Sequence, residues 1–529
     1  MHRKLFIMKC DCINRFLYII ALIFIVLAGV YIQLPYMNEF PSFIHAWSQS
    51  DRYAIALGFV NNDLDLFHPE TFIYNKQFPN WWKCAYDNTV TSVDFPFVEY
   101  LVAIVMKITG ITSPWIFRII TFMIALTGMF FLFKLTFQIT KDWIKSLLIT
   151  AFAMTSPVYA YYFNGFIPGI PALTFVIISL HFYVKYFEND SNKSFVLSMF
   201  FITLSVLIRS SFAVIYVAML SFESLRILRK ESAFKNKIVP VFTSMLFILA
   251  YYFWNKHIAA QYGTLFLSEL MPADDWSDFW NIMSKTKDNW KFHYFGKIHY
   301  YSFIVISLIA FAFACVKKFK DIENKDNSRK KTLSLVFLIL IMIFGYFLFT
   351  IAMAKQFPNH DYYFIDTYFL PLLLLFTLII KILPVIVSDF KFLVPLMISF
   401  VLIFFMLKNV NEMQQKRRAR YWGKASERTI ENYQGSEEFL NSVNVSKDAK
   451  ILTLYSYPQN TPFILMNRKG FTAMHDKDSI METALSFDYD YVMVENEILV
   501  EKQKERSELF SNLKYVSDNG KLTLFVKKY

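Results

Sequence analysis

Residues 16–34 read FLYIIALIFIVLAGVYIQL, a run without a charged side chain. A helix needs about 20 mostly apolar residues to cross a bilayer, and this run has that length. It is longer than the apolar part of a signal peptide, and no small-residue cleavage site follows it. We therefore interpret it as a retained first membrane helix, and the basic residues before it indicate a cytoplasmic N-terminus.

The composition of the whole chain favours a membrane protein. Of 529 residues, 55% are hydrophobic and only 18% are charged, whereas charged residues make up about 25% of an ordinary soluble domain. The net charge of +12 does not indicate a nucleic-acid partner, because Lys and Arg cluster in short loops between apolar runs, as the positive-inside rule requires. The bilayer is the partner that this pattern predicts.

Ten further apolar runs predict a mainly α-helical, polytopic transmembrane bundle of about eleven spans. They lie near 96–110, 114–134, 146–163, 170–187, 194–220, 238–256, 300–316, 332–353, 364–383 and 391–408. Three basic regions, before residue 16, at 226–237 and at 317–331, all fall in the cytoplasm with this count. One loop disagrees, because Lys134, Lys141 and Lys145 are predicted to lie outside. Either the spans near this loop are miscounted or its charge is too weak to set the topology.

The same count places the first loop, 35–95, a second loop, 257–299, and the tail outside the cytoplasm. Short strand patterns at 450–455, 491–494 and 522–526, with a helical pattern at 479–487, predict a small α/β domain in the tail. The predicted domains are therefore a transmembrane domain at 1–408 and a soluble, extracytoplasmic domain at 409–529.

The first loop carries two acidic residues among aromatic ones. Residues that recur at helical spacing predict an amphipathic helix at the membrane interface; they are Trp47, Tyr53, Ala54, Leu57 and Gly58. Asp51 lies near the start of that helix, and Asp94 lies where the chain re-enters the membrane. A carboxylate can act as a general base on a hydroxyl group; alternatively Asp51 caps the helix and Asp94 is a solvated residue at the membrane edge. Aromatic residues that can stack on sugars, or anchor the loop at the interface, are Trp81, Trp82 and Tyr86.

A second polar group lies between two late runs and consists of Lys355, His360, Asp361, Tyr362 and Tyr363. Lysine can hold a phosphate by charge, and histidine and tyrosine can hold it by hydrogen bonds. The alternative is an ordinary polar turn with anchoring tyrosines. One histidine beside one aspartate is weak support for a metal site.

Arg209 lies within the apolar run 204–218. A charge inside a membrane is costly, and we treat it as a functional-site hypothesis by default. Arg209 is expected to pair with an anionic lipid head or with a carboxylate, unless the end of the span lies elsewhere.

Three motifs in this order resemble those of the C-type (GT-C) membrane glycosyltransferases, and most closely the bacterial family of protein mannosyltransferases and aminoarabinose transferases (glycosyltransferase family 39-like). Residues 47–56 are similar to its W-x-Q-x-D-x-Y-x-I-A pattern, Asp94-Phe95-Pro96 to its E/D-F-P pattern, and residues 360–363 to its H-D-Y-Y pattern. The resemblance covers about 400 residues. One departure is Gly169, because the family pattern leads us to expect an acid within 166–171; another is Arg209, where we expect a lysine.

The resemblance implies an inverting transfer of a sugar from a polyprenyl-phosphate donor to a glycan, lipid or protein acceptor, in the inner membrane of a bacterium. Asp51 is then the general base, and Asp94 orients a substrate. Arg209 and Lys355 stabilise the leaving phosphate. The remaining substrate-binding candidates are Trp47, Gln49, Tyr53, His360, Asp361, Tyr362 and Tyr363. Neither a metal nor another cofactor is required by this mechanism, although the mechanism does not exclude a divalent cation.

Three other functions compete with this one. A transporter or flippase of lipid-linked glycans would share the spans and Arg209, but such proteins often contain internal repeats, and the sequence shows none. A glycan polymerase or ligase usually has its large loop late in the chain. A receptor or assembly factor would use the tail, which shows no clear catalytic group of residues.

Overall fold

The protein, seen in a computed structural model, is a bundle of apolar helices with a small α/β domain at its C-terminal end. This confirms the predicted fold class. The structure describes residues 2–74, 88–266, 269–318, 326–384, 393–419, 421–474 and 476–528. The predicted aromatic candidates Trp81, Trp82 and Tyr86 lie outside the described residues.

The helices of the bundle are α1 His2–Gln33, α2 Ala46–Asn61, α3 Phe97–Thr109, α4 Pro114–Thr140, α5 Trp143–Met154, α6 Pro157–Tyr162, α7 Gly169–Asn189, α8 Asn192–Ile208, α9 Ala213–Leu228, α10 Ile238–Tyr262, α11 Trp276–Tyr294, α12 Lys297–Lys318, α13 Asp326–Ala352, α14 Phe369–Ile382 and α15 Leu393–Arg418. Short 3-10 helices lie at Leu34–Tyr36, Ser210–Phe212, Ala354–Gln356 and Asp361–Phe364.

The bundle exposes the apolar surface that lipid requires. Among the described residues, eight helices are long and apolar enough to cross a membrane, and α5, α8 and α14 are shorter apolar helices. Only 6% of the most apolar part of α10 is buried, and soluble monomers rarely expose so large an apolar face. The exact number of spans stays a prediction.

Two of the predicted spans are corrected by the structure. The run at 194–220 is not one span but two helices, α8 and α9, separated at Arg209, whose backbone is extended (φ −151°, ψ 106°). The run at 96–110 forms α3, whose 13 residues extend about 20 Å, too short for a hydrocarbon core of about 30 Å. Instead α3 packs along α2, where Glu99 accepts a hydrogen bond from Arg52 at 3.2 Å.

One correction removes a predicted span and the other adds one, so the predicted number of spans is unchanged. The loops between the two corrected runs, however, change sides. We call the side of the bundle that carries the first loop the loop face. The start of α4 lies on it, because Arg118 donates to the carbonyl of Glu39 at 2.7 Å. The other end of α4 lies on the opposite face, where Lys141 pairs with Glu188 at the end of α7.

The lysine-rich loop that disagreed with the predicted topology thus lies on the opposite face. Lys145 donates to the carbonyl of Leu383, after the end of α14, at 2.6 Å. Arg226, from the basic region 226–237, donates to Tyr186 near the same end of α7. The prediction that Lys134, Lys141 and Lys145 share a side with the first loop is therefore wrong, and these basic residues now share one face with 226–237.

The tail is a five-stranded α/β domain. Its helices are α16 Tyr421–Tyr433, α17 Ser436–Ser442, α18 Thr461–Met466, α19 Asp478–Leu485, α20 Asn496–Glu505 and α21 Ser507–Ser511, and its strands are β1 Ile451–Leu454, β2 Gly470–Ala473, β3 Tyr491–Glu495, β4 Leu513–Asp518 and β5 Leu522–Lys527. The strand order is β2-β1-β3-β5-β4, with β2, β1 and β3 parallel. The predicted strands are confirmed as β1, β3 and β5, whereas β2 and β4 were not predicted. The predicted boundary at 408–409 falls inside α15.

The tail is attached firmly to the first loop. Ile73 pairs in parallel with Gly470 of β2, so the loop adds a short bridge to the edge of the sheet. Phe72 of the loop shares one apolar core with Phe463 and Leu524 of the tail. Exposing each such side chain costs about 1.5–3 kcal/mol. The tail is therefore a fixed part of the molecule on the loop face.

Candidate functional site

The candidate site is built around α2. The predicted helix is present, but 12 of its 16 residues are buried. The prediction that it lies with one exposed face at the membrane interface is therefore wrong. Side chains four positions apart share a helix face. Trp47 and Asp51 therefore face the tail, while Ser48 and Arg52 face the segment that carries Tyr362 and the start of α3.

Asp51 lies in the second turn of α2 and does not cap the helix, whose N-cap residue is His45. The residue is only 2% exposed, and its carboxylate binds side chains of the tail. Gln459 donates to both carboxylate oxygens at 3.0 and 3.1 Å, and Asn460 donates to Oδ1 at 2.7 Å. The side chain of Trp47 also hydrogen-bonds to Asp51.

Burial raises the pKa of Asp51 to about 7, although the hydrogen bonds from Gln459, Asn460 and Trp47 and the charge of Arg52 oppose that shift. The closest partners are neutral amides, which stabilise a buried carboxylate less than a paired cation does. A carboxylate whose pKa lies near the working pH suits general base catalysis.

Next to Asp51, charges of alternating sign form a line that we call the charge row. Its members in order are Glu99, Arg52, Asp94, Arg209 and Asp366. Asp94 is held most loosely, at 3.9 Å from Arg52 and 3.8 Å from Arg209, whereas charge-assisted hydrogen bonds are about 2.7–2.9 Å long. The side chain of Asp94 is also 28% exposed, so it is the member of the charge row that a ligand can displace most easily.

Arg209 lies at the break between α8 and α9 rather than deep inside a span. Its Nε donates to Asp366 at 2.6 Å, and its guanidinium lies 5.5 and 5.6 Å from the ring centres of Tyr362 and Tyr363. The structure thus brings four predicted residues together: Arg209, Asp94 and the two tyrosines.

A carboxylate occupies the space beside Gly169, where the family pattern leads us to expect an acid. A Cβ atom at position 169 would lie 2.5 Å from Oδ1 of Asp366. Asp366 is fully buried, and its Oδ1 accepts no hydrogen bond from any group that the structure describes. Burial raises the pKa of Asp366, and Arg209 opposes that shift.

Asp361 is engaged in a buried network instead of facing the charge row. Its carboxylate accepts hydrogen bonds from Tyr162 at 2.7 Å and from Arg417, and contacts Nε2 of His45 at 3.0 Å. Burial alone would raise the pKa of Asp361, but Arg417 and His45 hold it well below its usual value. The network joins α15, the first loop and the segment after α13.

The other predicted residues lie in different surroundings. The imidazole of His360 stacks on His45 with ring centres 5.3 Å apart, next to the tyrosines. Lys355 pairs with Asp274 at 2.5 Å, and no contact within the described residues joins it to the charge row. Gln49 donates to the carbonyl of Ile44 at 2.9 Å.

Tyr53 faces the protein interior in the same way as Gln49. Its hydroxyl donates to the carbonyl of Thr112. Gln49 and Tyr53 therefore both donate hydrogen bonds to backbone carbonyl groups of the protein in this structure. Among the described residues, no group of three or more His, Cys, Asp or Glu side chains is arranged to hold a metal ion.

Sequence reasoning missed several residues of the site. Arg52 and Asp366 adjoin predicted motifs, and their nearness to Asp51 and to residues 360–363 was a usable signal. Gln459 and Asn460 had no such signal, because they lie about 400 positions from Asp51 in a short turn between a strand and a helix.

Comparisons with known proteins agree with this architecture. Residues 93–254 match the family described as dolichyl-phosphate-mannose-protein mannosyltransferase. ArnT from Cupriavidus metallidurans in the apo state is 7% identical, with 96% of this chain and 97% of that chain covered and a TM-score of 0.50. The apo oligosaccharyltransferase of Archaeoglobus fulgidus is 12% identical, with 92% and 70% covered and a TM-score of 0.52. No curated protein sequence matches the chain.

Proposed function

We propose that this chain is a membrane glycosyltransferase of the GT-C type, which transfers a sugar from a polyprenyl-phosphate donor to an acceptor on the loop face. The family match over residues 93–254 and the fold shared with ArnT and the oligosaccharyltransferase support this proposal. The observation that carries the proposal is the pair Asp51–Arg52 on α2. It places a buried carboxylate with a pKa of about 7 directly beside the charge row.

In the proposed reaction, Asp51 removes the proton from the acceptor hydroxyl, whose oxygen attacks the anomeric carbon of the donor. The bond from that carbon to the phosphate oxygen breaks through an oxocarbenium-like state. The electron pair leaves with the polyprenyl phosphate, and the attack from the opposite side inverts the configuration. The proton remains on Asp51 until the product departs.

The phosphate needs a cation because it leaves as an anion, and Arg209 is the candidate on the charge row. Asp94 lies between Arg209 and Arg52 at loose distances, so we propose that it turns toward a substrate hydroxyl when the phosphate binds. Tyr362, Tyr363 and His360 would line the phosphate. Lys355, on the same segment, would act as a second, more peripheral cation.

The distribution of charge supports an orientation in which the loop face is extracytoplasmic. Basic residues gather on the opposite face in the corrected topology, including Lys141, Lys145 and Arg226, and such residues mark the cytoplasmic side. We therefore propose an inner-membrane protein of a bacterium with a cytoplasmic N-terminus and an extracytoplasmic tail.

The proposed reaction uses no metal, because an arginine takes the place of a divalent cation at the phosphate. Treatment with a chelator is expected to leave the transfer rate unchanged. A loss of activity that Mg²⁺ or Mn²⁺ restores would contradict this part of the proposal.

The decisive experiment measures transfer from radiolabelled polyprenyl-phosphate sugars by the purified protein in nanodiscs. Asp51→Asn is expected to reduce the rate by at least about 100-fold, since general base catalysis contributes about 10²–10⁴-fold. Asp63→Asn is the matched control, because Asp63 is an exposed acid after the end of α2. Equal rates for wild type and Asp51→Asn would reject the base, and no transfer from any lipid donor would favour a transporter.

A further inference from the structure

The turn that follows β1 places an unusual amide beside the proposed base. Gln459 is fully buried, and both of its hydrogen bonds to Asp51 come from Nε2. Its Oε1 accepts no hydrogen bond from any group that the structure describes. A buried acceptor without a partner is costly, so the free oxygen indicates a position where a donor group from a ligand can bind.

This turn also lies where open α/β sheets bind ligands. In the order β2-β1-β3, the connection from β1 to β2 and the connection from β2 to β3 lie on opposite faces of the sheet. The chain thus reverses its direction across the sheet next to β1, and open sheets bind ligands at the carboxyl ends of the strands at such a switch point. Residues 455–460 follow the carboxyl end of β1 directly. The binding edge of the tail therefore meets Asp51.

Two aromatic side chains flank the same position. Trp47 and Tyr457 are both half-buried, and the hydroxyl of Tyr457 hydrogen-bonds to the backbone of Trp47. Aromatic rings can cover the apolar faces of sugar rings, and a carboxamide offers both a donor and an acceptor to hydroxyl groups. A carboxylate, a carboxamide and two aromatic rings together suit a carbohydrate.

A peptide acceptor fits this position less well. Peptides often bind by adding a strand to an open sheet edge, but the edge of β2 on this side is already paired with the first loop through Ile73 and Gly470. The amide of Tyr74 also donates to the carbonyl of Gly470 at 3.0 Å.

We propose that Trp47, Tyr457 and Gln459 form a carbohydrate-binding subsite for the acceptor, shared between the first loop and the tail. An acceptor hydroxyl replaces the Gln459 amide at Asp51, and Gln459 then binds a neighbouring hydroxyl of the same sugar. The inference rests on the proposed function, because it takes Asp51 as the base. Since the tail shares an apolar core with the loop, the exchange takes place within the turn and not by separation of the domains.

The test measures binding of methyl glycosides of glucose, galactose, mannose and N-acetylglucosamine to the full chain in nanodiscs, by saturation-transfer NMR without any donor. Wild type is expected to bind at least one glycoside. Gln459→Met keeps the length of the side chain but removes both polar atoms, and it should weaken that binding about fivefold to tenfold. Gln434→Ala, an exposed glutamine of the same domain, is the control that should bind as wild type does.

A second readout separates positioning from a loss of structure. With the transfer assay, Gln459→Met should raise KM for the acceptor glycan about tenfold and leave KM for the lipid donor within about twofold. Equal glycoside binding by wild type and Gln459→Met, or binding of a serine-containing hexapeptide in place of the glycosides, would overturn the subsite. If the glycosides bind as expected but Asp51→Asn transfers at the wild-type rate, the subsite stands and the base assignment fails.

Discussion

Two buried aspartates on the loop face differ in chemistry because their partners differ. Asp51 is held by neutral amides and Asp361 by the guanidinium of Arg417, so the pKa of Asp51 is raised and that of Asp361 is lowered. A carboxylate with a low pKa is a weak base. At the scale of single residues, the partner decides which of the two acids can accept a proton near neutral pH and which one joins parts of the fold.

The raised pKa of Asp51 predicts a pH profile. A general base acts when deprotonated, so kcat/KM should rise with pH through about 7 and level off above it. Gln459→Met removes a hydrogen bond that favours the charged form, so the rising limb should move to higher pH. Rates measured from pH 5 to pH 9 check this, with Gln434→Ala as the control. A rate that is already constant from pH 5 upward, or a limb that does not move in Gln459→Met, would contradict the titration of Asp51.

Gly169 and Asp366 predict a rescue by relocating a carboxylate. Gly169→Asp alone should lower both the transfer rate and the stability, because its Cβ would lie 2.5 Å from Oδ1 of Asp366. Asp366→Ala alone removes the closest partner of Arg209, and breaking a buried ion pair costs about 3–5 kcal/mol. The double variant should be more active and more stable than the two single losses predict, with a coupling of about 0.5–3 kcal/mol.

The measurement for this pair is a double-mutant cycle on transfer rate and on thermal unfolding in detergent. Gly29→Ala is a suitable control, since the closest atom to a Cβ there is the flexible end of Leu126, at 2.8 Å, and Phe122 and Met154 lie at ordinary contact distances of 3.5 and 3.6 Å. Strictly additive losses would show that Asp366 does not stand in for an acid at position 169.

Motif order and charge selected Asp51, Asp94 and Arg209 as candidates from the sequence, but did not predict their surroundings. Hydrophobic periodicity reports burial and helix faces, whereas the partner of a polar group depends on contacts between distant parts of the chain. Asn460 binds Asp51 from 409 positions away, so this contact is one that hydrophobic periodicity does not predict.

At the scale of elements, the end of α15 predicts a local stability effect. Arg417 and Asp361 are both fully buried, so Arg417→Met leaves the carboxylate without its guanidinium partner and should lower the free energy of unfolding by about 3–5 kcal/mol. Asp361→Leu combined with Arg417→Met removes both charges and should be closer to wild type. Thermal unfolding in detergent measures both, with the exposed Lys416→Met as the control. A double variant less stable than either single one would contradict this account.

Sequence patterns located most of the helices but misassigned α3 and the pair α8–α9. A break within an apolar run is hard to see when its only marks are one arginine and two serines, as at Arg209-Ser210-Ser211. A short apolar helix such as α3 shows the same composition whether it crosses a membrane or packs against another helix. Length and tertiary contacts decided these cases.

At the scale of the whole molecule, the corrected topology reverses four loops relative to the sequence-based one, namely 111–113, 135–145, 164–169 and 188–193. Ile111 follows α3 and adjoins Thr112, which accepts a hydrogen bond from Tyr53 of the first loop, so it lies on the loop face. Lys141 lies on the opposite face. The two corrected helix assignments together place each of these loops on the other side of the bundle.

Labelling with a membrane-impermeant maleimide distinguishes the two topologies. In a variant without native cysteines, Ile111→Cys should react from outside intact inner membranes, because Ile111 is exposed on the loop face, and Lys141→Cys should react only after the membrane is opened. Asp65→Cys, in the first loop, serves as the control that both topologies place outside. The reverse pattern would restore α3 as a span and return the lysine-rich loop to the side of Asp51. The charge row would then be split across the bilayer, so this labelling experiment also tests whether Asp94, Arg209 and the tail can act at one site.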